Sequence, residues 1–286
     1  MKKVIYFLEF VLVKFFFIIF KIIGYRSASS LGFFIGSRFG NIFRTKKSII
    51  NNLEKSKILI KYDKNKFAQN VLGNYGRILA EYPFLKDFRY NKLEKYIEVD
   101  GKENLEKIKD GKKPVVFISG HFNNFELMAM QIEKSGINLA TIYRPLNNVF
   151  LNKNMEHIRT NYICKNQIKK GRSGTRQILE NLKKSNSIAL MIDQRVTEGI
   201  RINFFGDLAS TTTIPAQIIK KYNCDLVPIY IERTMKHYFK MYVSQPIVIN
   251  SGKSNEEISI HLNKILEKMI LKNPDQWIWT HDRWRK

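Results

Sequence analysis

The sequence predicts an α/β fold with a mixed central sheet flanked by helices, preceded by an N-terminal membrane-associated helical segment. Three observations carry this expectation. From about residue 95 onward, short and nearly continuous apolar runs alternate with amphipathic stretches of helical period, as in a sheet covered on both faces. The last apolar runs follow one another with no helix between them, which calls for an antiparallel end to the sheet. Residues 4–23 are almost wholly apolar.

That first stretch is long enough to cross a bilayer, but Glu9, Lys14 and Lys21 interrupt it. On a helix turning about 100° per residue, Lys3, Lys14 and Lys21 fall within about 20° of one another. One basic line on an aliphatic and aromatic surface suits a helix lying in, or entering obliquely, an anionic interface. A single tilted span with snorkelling lysines is the alternative. A secretory signal is disfavoured, since Ser27-Ala28-Ser29 is a poor cleavage site. Residues 1–26 are therefore read as the anchoring helix and residues 27–286 as the chemical domain, helical over 27–94 and α/β over 95–286. Within the helical part, residues 29–53 read as an apolar helix turning basic at Arg44, Lys46 and Lys47, like a cytoplasmic, lipid-facing edge. A second helix covers 62–82 and ends near Tyr82-Pro83.

The strands are expected at PVVFIS (114–119), LATIY (139–143), SIALMID (187–193), LVPIYIE (226–232), YFKMYV (238–243) and PIVI (246–249). Helical periodicity fills 124–135, 148–161, 173–185 and 211–222, and a last helix spans 254–272 before the tail NPDQWIWTHDRWRK. There is no internal repeat and no low-complexity linker.

Composition narrows the function. With 44% apolar and 13% aromatic residues the chain is not a disordered one. The formal net charge of +24, from 49 basic and 25 acidic residues, points to an anionic partner: a nucleic acid, a membrane surface, or an acidic protein or substrate. Scattered lysines serve solubility equally well. Cys164 and Cys224 show no CxxC spacing, and His157, His237, His261 and His281 form no ligand pattern, so neither a metal nor a cofactor is expected.

The stretch SGHFNNFEL (119–127) follows the apolar run PVVFI. In α/β sheets, ligands and reactive groups collect at the carboxyl ends of strands, and Gly120 permits a sharp turn there. If His121 precedes a helix that Asn123 or Asn124 caps, the chain can fold back and bring Glu126 to the imidazole. The carboxylate would then fix the tautomer and leave the other nitrogen to accept a hydroxyl proton. The competing reading is a capped helix start, with Glu126 favouring the dipole. No serine or cysteine nucleophile is partnered with this histidine in sequence, which favours direct attack by a substrate hydroxyl.

GHFNNFE resembles the HxxxxD/E motif of the lysophospholipid acyltransferase superfamily, in the glutamate form of the bacterial lipid A late (lauroyl/myristoyl) acyltransferases. NYGRILAEYP (74–83), TIYRPLNN (141–148), GRSGTRQILENLKKSNSIALMIDQR (171–195), INFFG (202–206), LVPIY (226–230) and the ending QWIWTHDRWRK match that family's blocks in order across nearly the whole chain. One departure is Ser173-Gly174-Thr175-Arg176, where glycerolipid acyltransferases carry Glu-Gly-Thr-Arg; the missing acid suits the lipid A branch.

The resemblance implies that His121 is the general base and Glu126 its orienting carboxylate. It implies acyl transfer from an acyl carrier protein to a hydroxyl of a lipid A precursor, at the cytoplasmic side of the inner membrane. Arg144 would bind an acceptor phosphate, its alternative being a structural ion pair. Arg172 and Arg176 share a helix face and are phosphate ligands or solvated charges. Asp193 and Gln194 close a buried strand near the same edge, Asp193 needing a partner such as Arg144, Arg195 or the substrate. Arg195 is grouped with the substrate-binding residues. The basic surplus would serve acidic lipids and the acidic carrier protein. Trp277, Trp279 and Trp284 suit a membrane interface, phosphate recognition or a packed lid. Two other readings stand: a CoA-dependent acyltransferase acting on another glycolipid or a lysophospholipid, and a non-catalytic basic protein binding membrane or nucleic acid. No nucleic-acid motif supports the last.

Overall fold

The computed structural model describes residues 2–42, 44–60, 63–250 and 252–285, and says nothing of the Arg172 side chain. Among the described residues the chain opens with the α-helices α1 (Lys2–Ile23), α2 (Tyr25–Phe39), α3 (Lys46–Ser56), α4 (Lys64–Glu81) and α5 (Leu85–Arg89). Then follow β1 (Ile97–Asp100), α6 (Lys102–Gly111), β2 (Val115–Ser119), α7 (Glu126–Lys134), β3 (Leu139–Tyr143) and α8 (Val149–Ile158). A π-helical turn, Arg159–Ile163, extends α8. The chain continues through β4 (Asn166–Lys169), α9 (Arg172–Lys183), β5 (Ser187–Met191), the hairpin β6 (Ile200–Phe204) and β7 (Asp207–Thr211), and α10 (Ile214–Tyr222). It closes with β8 (Asp225–Arg233), β9 (Phe239–Val243) and α11 (Asn255–Lys272).

Among the described residues seven strands form one sheet in the order β1-β9-β8-β2-β5-β3-β4. Every pairing is parallel except β8 with β9, so the sheet is mixed, with its antiparallel pair where consecutive apolar runs required it. β2 is buried along its whole length, as a central strand with helices on both faces must be. Its neighbour β5 lies in register Ser119↔Met191, so both chains leave the sheet side by side. This adjacency positions the site.

Three details differ from expectation. Residues 29–53 are not one helix: α2 stops at Phe39, a tight turn covers Gly40–Ile42, and α3 starts after Thr45. PIVI contributes one antiparallel bridge, Leu226↔Ile247, since Pro246 can offer no backbone donor to a ladder. Four strands are additional: the short β1 and β4, and the two-stranded β6–β7 hairpin. Phe205 (φ 54°) and Gly206 (φ 80°) form its two-residue loop, both in the left-handed region that a type I′ turn demands.

Helices α2 and α4 cross in backbone contact. A Cβ added to Gly36 would overlap the Leu72 carbonyl, and one on Gly76 the Gly32 carbonyl. Only glycine allows this approach, which holds α4 tightly against α2. Helix α1 keeps two lysines of its basic stripe exposed while they contact the rest of the chain: Lys14 Nζ donates to Asn154 (3.2 Å), and Lys21 pairs with Asp87 (2.5 Å). Its outer surface is apolar, with Val4, Leu8, Leu12, Phe15, Ile18 and Ile22 exposed between 56% and 78%. Among the described residues no helix is long and apolar enough to cross a membrane.

The tail packs inward instead of presenting aromatics. Trp277, Trp279 and Trp284 are buried, and Arg283 is fully buried. Arg283 donates to the carbonyls of Gln194 (3.0 Å) and Ser210, to Thr211 Oγ1 (3.1 Å) and to Asn263 Oδ1 (3.3 Å). Of the tail's three expected roles, the geometry is that of a packed lid.

Candidate active site

Residues just past the carboxyl ends of β2 and β5 meet at one point. His121 Nδ1 lies 2.7 Å from Asp193 Oδ1, and the His121 backbone N–H donates to Asp193 Oδ2 at 2.7 Å. Trp277 Nε1 donates to the same Oδ2 at 2.9 Å. Gly120 leaves the space this requires: a Cβ there would come within 3.2 Å of Asp193 Oδ2 and 2.9 Å of the Phe122 ring. The glycine thus accommodates the carboxylate.

Asp193 is 1% exposed. Burial opposes its charge, but the imidazole, the His121 amide and the Trp277 indole together hold its carboxyl below the ordinary carboxylate range. For His121, burial works against the imidazolium, while the Asp193 charge and hydrogen bond, with Glu126 behind them, outweigh it and raise its pKa above the ordinary value. The ring stands edge-on to Phe125, centroids 4.7 Å apart. His121 Nε2 has no hydrogen-bond partner among the described residues. The histidine opens on a narrow cleft lined by Val71, Asn74, Tyr75 and Ile78 of α4 and by Ile278.

Glu126, in the first turn of α7, faces other partners. Its Oε1 accepts from the Tyr82 hydroxyl and from Arg159 Nε (2.9 Å) and Nη2 (2.7 Å). Burial works against the Arg159 charge, but Glu126 and Tyr82 more than restore it. Glu126 therefore reaches His121 through its field, and the imidazole's hydrogen-bond partner is Asp193.

The turn between them is gripped from two sides. Asn123 (φ 43°) donates its backbone N–H to the Gln276 carbonyl (3.1 Å) and its side chain to Gln276 Oε1 (2.5 Å). Asn124 Nδ2 donates to the fully buried Glu81 (3.2 Å), which also pairs with Arg233 (2.8 Å). The asparagines thus fasten the turn sideways, and neither caps α7.

The other expected residues are spread out. Arg144 is exposed just past β3, on the same sheet edge as His121. Arg176 is exposed on α9, paired with Glu180 at 2.9 Å. Gln194 joins the site region through its carbonyl, which Arg283 holds. Arg195 Nε donates to the Arg285 carbonyl at 3.1 Å. Asp193 takes His121 as its partner, and not Arg144 or Arg195. Among the described residues no three His, Cys, Asp or Glu side chains group as metal ligands. Sequence reasoning missed Arg159, 33 positions from Glu126, and the hydrogen bond of Trp277 to Asp193; no local spacing signals either.

The chain matches the family described as bacterial lipid A biosynthesis acyltransferase over residues 1–286. It is 22% identical to a lipid A biosynthesis palmitoleoyltransferase of Escherichia coli (strain K12) over 228 residues, covering 78% of this chain and 72% of that protein. A lipid A biosynthesis acyltransferase of Shigella flexneri matches with the same identity and coverage. Among solved structures, the 1-acyl-sn-glycerophosphate acyltransferase PlsC of Thermotoga maritima superposes with a TM-score of 0.43 at 13% identity, over 87% of this chain and 96% of that one. With a match that runs the length of the chain, this protein belongs to the bacterial lipid A biosynthesis acyltransferase family and is an O-acyltransferase.

Proposed function

We propose that the protein moves a fatty acyl chain from an acyl carrier protein thioester to a hydroxyl of a lipid A precursor, with His121 as general base and Asp193 as the carboxylate that orients it. The observation that carries this reading is the 2.7 Å contact of His121 Nδ1 with Asp193, which leaves Nε2 unpartnered beside a cleft. A proton on Nδ1 frees Nε2 to accept the hydroxyl proton. The hydroxyl oxygen attacks the thioester carbonyl, the C–S bond breaks, and the imidazolium returns its proton to the leaving thiolate. In this reading Glu126 acts one step away, fixing Arg159 and adding negative potential at His121.

The outer face of α1 supports residence at a membrane surface, since an apolar patch of this extent marks an interaction site. The inner membrane's cytoplasmic side, the anionic lipid surface and the acidic carrier protein are the partners that the basic surplus fits; no nucleic acid is among them. An apolar cavity of about 460 Å³, lined by Phe17, Ile18, Ile22, Pro83 and Ile158 with Lys14 and Lys21 at its edge, offers hydrocarbon a seat. Arg144 and Arg176, with Arg195, are proposed to meet the acceptor's phosphates.

The test is purified protein with acyl carrier protein and CoA thioesters offered against a lipid A precursor and a lysophospholipid, products read by mass spectrometry. Acylated lipid A precursor formed from the carrier-protein donor is expected. Transfer only to the lysophospholipid, or only from CoA, overturns the respective half of the reading.

A further inference from the structure

The carboxylate of Asp193 is buried, and its orientation decides whether the imidazole is held. Two donors converge on Oδ2: the His121 amide at 2.7 Å and the Trp277 indole at 2.9 Å. Oδ1 is left to His121 Nδ1 at 2.7 Å. We propose that Trp277 is a positioning residue of the reaction, its indole N–H setting the rotation of the Asp193 carboxylate and so the tautomer and direction of His121. The inference rests on the reading of His121 and Asp193 as base and orienting carboxylate.

The indole is itself held firmly. Trp277 is 2% exposed and stands edge-on to Trp279, centroids 4.8 Å apart at 80°, and to Phe204 at 6.1 Å and 65°. Its backbone bridges to Phe122, the residue after the histidine. The preceding Gln276 accepts the Asn123 amide, and its side chain bonds both the backbone N–H and carbonyl of Arg233, at 2.9 and 3.0 Å. The His121 turn, the end of β8 and the tail therefore form one body, and the indole N–H is one of its contacts to β5's end, beside those of His121 and Arg283. Phenylalanine would satisfy the apolar neighbours of this ring. The N–H is directed at a buried carboxylate, where an unmet acceptor site is costly.

Trp277→Phe in the full chain removes the donor but also leaves a gap in the packing around the ring. β-(3-benzothienyl)alanine, incorporated at position 277 alone, keeps the bicyclic shape and removes only the N–H. Both are compared with Asp193→Asn, reading kcat, KM and the pH profile separately. The expected result for the position-277 variants is a fall in kcat of about ten- to a hundredfold, with KM within about twofold. The acid limb of kcat/KM moves to higher pH, because a carboxylate with one donor fewer pulls harder on the imidazolium. A benzothienyl variant with wild-type kcat and pH profile, set beside a crippled Asp193→Asn, overturns the role of Trp277 alone. An Asp193→Asn variant with wild-type kcat and pH profile overturns the underlying base assignment, and the role of Trp277 with it.

Discussion

Replacing Asp193 by asparagine tests the base assignment with little change of shape. The carboxylate is 1% exposed and 2.7 Å from His121 Nδ1. With the charge centres taken as about 4 Å apart, an effective dielectric of about 20 gives about 4 kcal/mol between carboxylate and imidazolium. That is about a thousandfold in rate if the imidazolium forms in the transition state. The amide also presents an N–H to Nδ1, moving the ring proton to Nε2 and removing the acceptor, so the expected loss in kcat is about 10³–10⁴. The variant keeps an amide oxygen for the His121 and Trp277 donors, so its thermal midpoint is expected near that of the parent protein. The assay is acyl transfer from a labelled carrier-protein thioester, run beside Glu126→Gln, which retains an oxygen for Tyr82 and Arg159 and is expected to lose less. If Glu126→Gln is the more damaging of the two while both remain folded, the assignment of Asp193 as the orienting carboxylate is refuted.

Three further outcomes follow from the same geometry. With His121 as the proposed base, catalysis requires its neutral imidazole, whose pKa Asp193 raises above the ordinary value of about 6.5; kcat/KM of the parent protein is then expected to fall as pH drops through that raised value, and in Asp193→Asn the limb moves to lower pH, as burial then prevails. Gly76→Ala forces a methyl against the Gly32 carbonyl and is expected to cost about 1–3 kcal/mol, lowering Tm by several degrees with a loss of activity as α4 shifts. Gly111→Ala, where nothing lies within 4 Å of the new Cβ, is its control in the same calorimetric scan. Leu8→Glu with Leu12→Glu, on the exposed face of α1, is expected to reduce flotation with anionic vesicles by at least about tenfold, and unchanged flotation would remove α1 as the anchor.

The regular part of the fold was legible because buried strands and amphipathic helices write their periods locally. PVVFIS, LATIY and LVPIYIE became β2, β3 and β8 within a residue or two. The hairpin was overlooked although Ile200, Ile202 and Phe204 alternate and Phe205-Gly206 turns the chain, because short alternation is a weak signal. The site's hydrogen-bonding pattern was not legible for a different reason. HxxxxE invites a local pairing, whereas His121 bonds a residue 72 positions away. That contact depends on β2 and β5 being neighbours, and strand order is written in no single segment. The place of Asp193 at a strand end is visible in the sequence; its partner is set by the sheet.

The fastening of the tail to the His121 turn also has a consequence in time. The indole that bonds Asp193 comes 84 positions after it. At synthesis rates of about 5–20 residues per second, that interval is roughly 4–17 s. During it a nascent chain can already hold the histidine motif and the strands that flank it. Trp277 and Gln276 are still missing, so the carboxylate has no fixed rotation and the Asn123 amide no acceptor. If Trp277 sets the Asp193 carboxylate as proposed, the enzyme is kept idle until its sheet has been covered, and a product terminated before residue 276 would retain the recognisable motif without the bonds that aim it.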